Sequence, residues 1–344
     1  MSAQRASRIQ VAGCGALPLN VAGRRRYALW HDGCFRTIVT TAPIDLCPGK
    51  ARRGFALCGA LVMYLGCGTS ATETAQSTGA DAGVDQQAPA SMPEDAFKVT
   101  RETLVVSGDK RTFLLSVPAN YDGRKSYPLV YALHGDLQSG DLLRQEALFE
   151  NASKHEAIVV YPDGNNATWD VYTPRAQNKD MAFVAAIRAS LVSRFAIASN
   201  RIFMWGQSSG AFFTSQFACR SPGFLRAIGV QSGGAPYEPP ANNAPQWPNG
   251  YAKCVENETP VPAIIFHGTD DQVVEFASGQ FCAQYWAYVN GCTAAQSDVV
   301  PAPCKSFEGC AGGNRVVFCG IAGAGHALWQ PGIAASWGFF SSYR

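Results

Sequence analysis

Residues 202–211 read Ile202-Phe203-Met204-Trp205-Gly206-Gln207-Ser208-Ser209-Gly210-Ala211. Four apolar residues lead into a Gly-x-Ser-x-Gly turn, and residues 210–220 continue with the composition of a helix. A buried strand that turns directly into a helix brings two backbones close together. The glycines on either side of the serine are needed there, because a side chain would collide where strand and helix nearly touch. The same geometry forces the central Ser208 into a strained backbone and leaves its hydroxyl exposed at the end of the strand. The turn is therefore the expected site of a nucleophile, at the carboxyl edge of a sheet.

The rest of the chain supports such a sheet. Residues 99–106 and 111–117, joined by Ser107-Gly108-Asp109-Lys110, form a β-hairpin pattern. Short apolar runs follow at 128–133, 158–161, 227–230, 261–266 and 315–321. Between them, helical spacing is expected over 141–153, 179–195, 210–220, 277–290 and 334–342. Apolar strands alternating with helices imply a mostly parallel central sheet with helices on both faces. Ligands of such sheets bind at the carboxyl ends of the strands, where the motifs below also fall.

Two segments after the serine turn complete a chemical set: His267-Gly268-Thr269-Asp270-Asp271-Gln272-Val273-Val274 and Gly323-Ala324-Gly325-His326. A serine hydroxyl does not ionise at neutral pH, so an imidazole has to take its proton during attack. Of the five histidines, His326 lies in a glycine-rich loop after the last strand and is the best base. His31 lies in the leader, His155 has no motif, and His134 and His267 sit at strand ends as structural or pocket residues. An acid then orients the imidazole; Asp270 and Asp271 compete for that role, with Asp271 favoured because the Val273-Val274 pair follows it. The order Ser…Asp…His is that of the α/β-hydrolase fold. Tetrahedral intermediates need backbone donors: the Ser209 N–H at the helix start, and the Asp136 or Leu137 N–H after Leu133-His134-Gly135. Trp169, Phe212, Phe213 and Trp329 are candidates for the substrate-binding pocket.

Charge is segregated along the chain. The whole carries +2, but residues 1–67 hold nine Lys and Arg against two acids, leaving −5 over residues 68–344. That balance gives no basic footprint for nucleic acid. Lys50-Ala51-Arg52-Arg53 precedes a thirteen-residue apolar segment, 54–66, ending at Cys67. Such a pattern reads as an export signal, too short to span a bilayer stably. Tyr64-Leu65-Gly66-Cys67 resembles a bacterial lipobox with Cys67 as the lipidated residue, although Tyr64 stands where an aliphatic residue is usual; Val11-Ala12-Gly13-Cys14 lacks an apolar segment before it, and a plain secretory signal cut nearby or an N-terminal anchor is the alternative reading. The expected organisation is a leader over 1–67, a flexible linker rich in Ala, Thr, Ser, Gln and Gly over 68–95, and a catalytic domain over 96–344. Membrane contact is expected only through this N-terminal lipid anchor, and the domain is expected outside the cytoplasm or in the cell envelope. Seven cysteines follow Cys67, six of them between 254 and 319, as in a disulfide-stapled exported domain; seven is odd, so at least one thiol is free or paired outside the chain. No metal-ligand spacing, phosphate loop or dinucleotide fingerprint occurs, so no metal or cofactor is expected.

The motifs Leu133-His134-Gly135, Tyr161-Pro162-Asp163-Gly164 with Thr168-Trp169, Gly206-Gln207-Ser208-Ser209-Gly210, His267-Gly268-Thr269-Asp270-Asp271, Asn290-Gly291-Cys292 and Gly325-His326-Ala327-Leu328-Trp329 occur in this order. Together they resemble the polyhydroxybutyrate depolymerase and feruloyl esterase group, carbohydrate esterase family one, over residues 97–343. The resemblance implies an α/β-hydrolase with Ser208 as nucleophile, His326 as base and Asp271 as acid. The implied substrates are feruloyl or acetyl esters of polysaccharide, or hydroxyalkanoate oligomers, cleaved through an acyl-enzyme. The sequence departs from the group in the stretched Leu328-Trp329-Gln330-Pro331-Gly332 and in Phe212-Phe213 after the turn. A peptidase or dienelactone-type hydrolase, a transferase, and a non-catalytic binding protein on the same scaffold are the alternative readings.

Overall fold

The computed structural model describes residues 27–31, 34–38, 96–236, 245–254 and 259–343. The chain divides into two units, 1–85 and 86–344. In the first, the described residues form a hairpin of β1 (Tyr27–His31) and β2 (Cys34–Ile38), Trp30 pairing with Phe35. The remainder of the expected leader, its Cys67 and the whole of the expected linker lie outside the described residues.

The second unit is built on a ten-stranded sheet. Its strands are β3 (Phe97–Val106), β4 (Asp109–Pro118), β5 (Tyr127–Leu133), β6 (Ile158–Pro162), β7 (Ile197–Gln207), β8 (Ala227–Gln231), β9 (Ala263–Gly268), β10 (Gln296–Asp298), β11 (Cys304–Phe307) and β12 (Val316–Ile321). They lie in the order β10-β11-β12-β9-β8-β7-β5-β6-β4-β3. The six strands from β12 to β6 run parallel, and the two at each end are antiparallel. The α/β-hydrolase architecture is thus the one the alternation of strands and helices foretells.

Alternation along the strands splits the core in two. Leu129, Tyr131 and Leu133 of β5 face a cluster with α3 (Lys179–Val192), α4 (Ser209–Arg220) and α5 (Phe276–Val289). Val130 and Ala132 face the other side, against α1 (Gly140–Ala147), α2 (Phe149–Ser153) and α6 (Pro331–Ser341). Such fully buried large side chains each contribute about 1.5–3 kcal/mol, and two-sided burial explains why these strands read as unbroken apolar runs. The expected single helix over 141–153 is two helices, because Leu148 takes a left-handed conformation (φ 42°) that ends α1 and starts α2.

Strand order fixes where a ligand can bind. From β5 the chain passes to β6 on one side and then returns to β7 on the other. The crevice of such a sheet opens at this reversal, beyond the carboxyl ends of β5 and β7. Three disulfides, Cys219–Cys254, Cys292–Cys310 and Cys304–Cys319, fasten the C-terminal portion, and among the described residues Cys282 is a free, buried cysteine.

Candidate active site

Ser208 joins β7 to α4 with φ 52° and ψ −121°, a conformation that costs an L-residue about 1–3 kcal/mol and persists only where its surroundings enforce it. Two glycines enforce it here. A methyl group on Gly206 would stand 2.2 Å from the Gly210 carbonyl oxygen, and one on Gly210 would stand 2.5 Å from the carbonyl oxygens of Leu133 and His134. The strand, the helix and the end of β5 therefore meet at backbone distance. The Ser208 N–H donates to Gln231 O (2.9 Å), while its carbonyl accepts from Ala211 and Phe212.

His326 reaches this serine from the loop after β12. Its Nε2 lies 2.9 Å from Ser208 Oγ and its Nδ1 lies 2.7 Å from Asp271 Oδ2. Asp271 has a fully buried side chain, and its Oδ1 accepts the N–H groups of Val273 and Val274, each at 2.9 Å. Burial alone would raise its pKa; the His326 hydrogen bond and the two amides outweigh burial and hold the carboxyl below its ordinary range. An ionised Oδ2 can only accept, so the proton sits on His326 Nδ1 and leaves Nε2 free to accept from the serine hydroxyl. The two loops are stitched together: Thr269 and Asp270 N–H donate to Ile321 O and Ala324 O, and Thr269 Oγ1 accepts from Gly323 N–H. Asp270 is exposed and accepts the Thr269 hydroxyl, a loop role apart from the Ser208–His326–Asp271 line.

Donors for an oxyanion lie at the helix start and after β5. Among the described residues, neither the Ser209 nor the Asp136 N–H has an acceptor, whereas Gly135 N–H is capped by Gln138 Oε1 at 2.9 Å. A methyl on Gly135 would stand 3.2 Å from Ser208 Cβ, so this loop abuts the serine. The expectation for Leu137 fails: its N–H donates to Ala167 O (2.8 Å), and its side chain is 90% exposed. The Asp136 carboxylate accepts the Thr168 hydroxyl. Nothing in the sequence marks Gln138 as the cap of Gly135, because the contact depends on how the turn closes before α1.

His134, fully buried, holds the β5 loop. Its Nδ1 donates to Gly135 O (2.7 Å) and its Nε2 accepts Gly164 N–H (2.9 Å), which fixes one neutral tautomer. Burial pushes its pKa down despite hydrogen bonding to Gly135 O. Trp169 donates its Nε1–H to His134 O and is only 4% exposed, with Phe213 against its ring at 5.1 Å. Trp169 and Phe213 are therefore packed into the core behind the site. Phe212 and Trp329 remain half-buried, Phe212 against Gly234 and Trp329 against the Phe266 ring. Among the described residues no cluster of His, Cys, Asp or Glu is arranged to hold a metal, and no helix is long and apolar enough to cross a membrane.

Comparison with known proteins bears on this geometry. The family model for esterases matches residues 105–288. Feruloyl esterase C (a "Probable feruloyl esterase C") of Aspergillus clavatus is 27% identical over 255 residues, covering 69% of this chain and 85% of its own. Feruloyl esterase D of Neurospora crassa is 26% identical over 267 residues, covering 70% and 85%. An acetyl xylan esterase from Aspergillus awamori superposes with TM-score 0.56 at 19% identity, over 70% of this chain and 99% of that one, a likeness of fold.

Proposed function

The chain belongs to the esterase family, and from that premise we propose that it is a serine hydrolase of carboxylic esters working through an acyl-enzyme. The observation that carries this reading is the unbroken Ser208–His326–Asp271 hydrogen-bonded line. Ser208 Oγ attacks the ester carbonyl as His326 Nε2 takes its proton, and buried Asp271 stabilises the resulting imidazolium. The Ser209 and Asp136 N–H groups receive the oxyanion; one such donor is typically worth about 2.7–4 kcal/mol in the transition state. Collapse of the tetrahedral species expels the alcohol, which takes the proton back from His326. Water, deprotonated by the same imidazole, then releases the acid and restores the serine.

The names of the relatives support feruloyl or acetyl esters of polysaccharide as the substrate class, with hydroxyalkanoate oligomers as a further candidate. Half-buried Phe212, four residues after Ser208, and Trp329, three residues beyond His326, are the proposed walls for the acyl group. Three disulfides suit an oxidising compartment and support export. The lipid anchor at Cys67, the leader over 1–67 and the linker over 68–95 are proposed from sequence.

The test is hydrolysis of p-nitrophenyl acetate and butyrate, methyl ferulate and a 3-hydroxybutyrate oligomer by the full chain beside Ser208→Ala. Wild-type turnover should exceed that of Ser208→Ala by about 10⁵-fold or more on the preferred ester, with unchanged folding. Comparable rates for the two proteins sink the nucleophile assignment.

A further inference from the structure

A second imidazole stands on the far side of the proposed acid. His267 closes β9 and has no exposed surface. Its Nε2 lies 2.8 Å from Val274 O, an atom that only accepts, so Nε2 carries the proton. The same nitrogen is 3.3 Å from Asp271 Oδ2, the oxygen that receives the His326 proton. Its other nitrogen, Nδ1, has no hydrogen-bond partner and faces bare backbone: a methyl on Gly279 would stand 2.4 Å from it. Phe276, also on α5, meets the ring edge-on at 6.1 Å.

We propose that His267 is a positioning residue for the Ser208–His326–Asp271 set, clamping the Asp271 carboxylate and tempering its hold on His326. The proposal rests on the triad reading above. Its physical basis is a closed circuit of four contacts. His267 Nε2–H holds Val274 O; Val274 N–H holds Asp271 Oδ1; Asp271 Oδ2 holds His326; and His267 Nε2, the nitrogen that carries the proton, lies 3.3 Å from that same Oδ2. Since Val274 precedes exposed Glu275 and the start of α5, without this clamp the carboxylate would rest on a loop alone. The ring must stay neutral to do this, because a proton on Nδ1 would point at the Gly279 backbone with no acceptor. Burial favours that neutral form, against the opposing pull of the Val274 carbonyl and Asp271. The titratable groups that face His267 are Asp271 and, behind it, His326; α5 presents Gly279 and the Phe276 ring.

The consequence is specific. Removing the N–H leaves Oδ2 more strongly negative toward the His326 imidazolium, so the acid limb of kcat/KM moves to higher pH. His267→Phe keeps a ring of similar size and loses the donor; the limb should rise by about half a pH unit and kcat should fall about tenfold with little change in KM. His267→Gln retains an N–H at similar reach and should return the limb to its wild-type position. A merely structural histidine would lower the melting temperature of both variants without moving the limb, and that pattern overturns the proposal. A wild-type measurement guards against misfolded variants: the His267 Nε2–H proton resonance should shift as His326 titrates and lose that response in Asp271→Asn. A resonance blind to the titration also overturns it. Ser208→Ala in the same assays separates the two levels, since Ser208-independent turnover defeats the triad reading while Ser208-dependent turnover with an unmoved limb defeats only the role of His267.

Discussion

The serine and the histidine of the candidate triad are held by opposite means. Ser208 sits in a joint of backbone on backbone, where Gly206, Gly210 and the end of β5 leave no room even for a methyl group. His326 sits in a loop where Gly323 and Gly325 have nothing within 4 Å of an added methyl. Its place comes from hydrogen bonds to the neighbouring β9 loop and from Asp271. One partner is fixed by steric exclusion at the turn that carries it, the other by polar contacts, the one to Asp271 spanning 55 residues of chain. A rigidly held serine and an imidazole held by exchangeable bonds suit the proposed reaction, in which the imidazole would serve two different oxygens in turn.

Three measurements break or sharpen that contrast. The largest effect should fall on the polar side: Asp271→Asn lowers kcat by about 10⁴-fold, as expected when the imidazole loses its tautomer and orientation. Asp270→Asn, which touches only Thr269 through its side chain, stays within about tenfold; the opposite ranking in steady-state kinetics means the acid has been misassigned. Next comes the steric side. Gly206→Ala places Cβ 2.2 Å from a backbone oxygen and should cost about 3 kcal/mol or more in denaturant unfolding, whereas Gly325→Ala, in open space, should cost less than about 1 kcal/mol. Equal costs at both positions erase the distinction. The smallest effect concerns pH. Burial lowers the pKa of both His134 and His267, so the unfolded chain takes up protons below 6.5 that the folded chain refuses. Stability is then complete above that value and falls as pH drops through it toward 5, by up to about 1.4 kcal/mol per group for each unit. His134→Gln should flatten the slope of melting temperature against pH; a slope unchanged by it assigns the loss to other groups.

The same contrast explains what could be read in advance. The turn at Ser208 was legible because its requirements are local: an apolar strand, two glycines and a helix within about ten residues. Asp271 is favoured over Asp270 in the sequence by the valines after it, and the structure gives the amides of both valines to its Oδ1. Other features had no local signature. Gln296–Asp298 of β10 is wholly exposed and carries no apolar alternation; it is a strand because β11 pairs with it, and β11 is itself tied to β12 through Cys304 and Cys319. Trp169 and Phe213 looked like pocket aromatics because they stand beside functional motifs. Sequence proximity to a motif does not say which face of the sheet a ring will meet. The commitment of the Leu137 amide to Ala167 depends on the loop after β6, which only the folded sheet brings near.

Cys282 gives the architecture a way of reporting on itself. The thiol lies between α4 and α5, in contact with Ser215 and fully buried, and burial pushes its pKa up to about 12. At neutral pH it holds almost no thiolate, so it neither attacks the three bridges nor meets an external reagent while those helices remain packed. The odd cysteine of the domain is thus silent for as long as the fold is shut, and the rate at which a thiol reagent finds it measures how often α4, the helix that Ser208 leads into, parts from its neighbour.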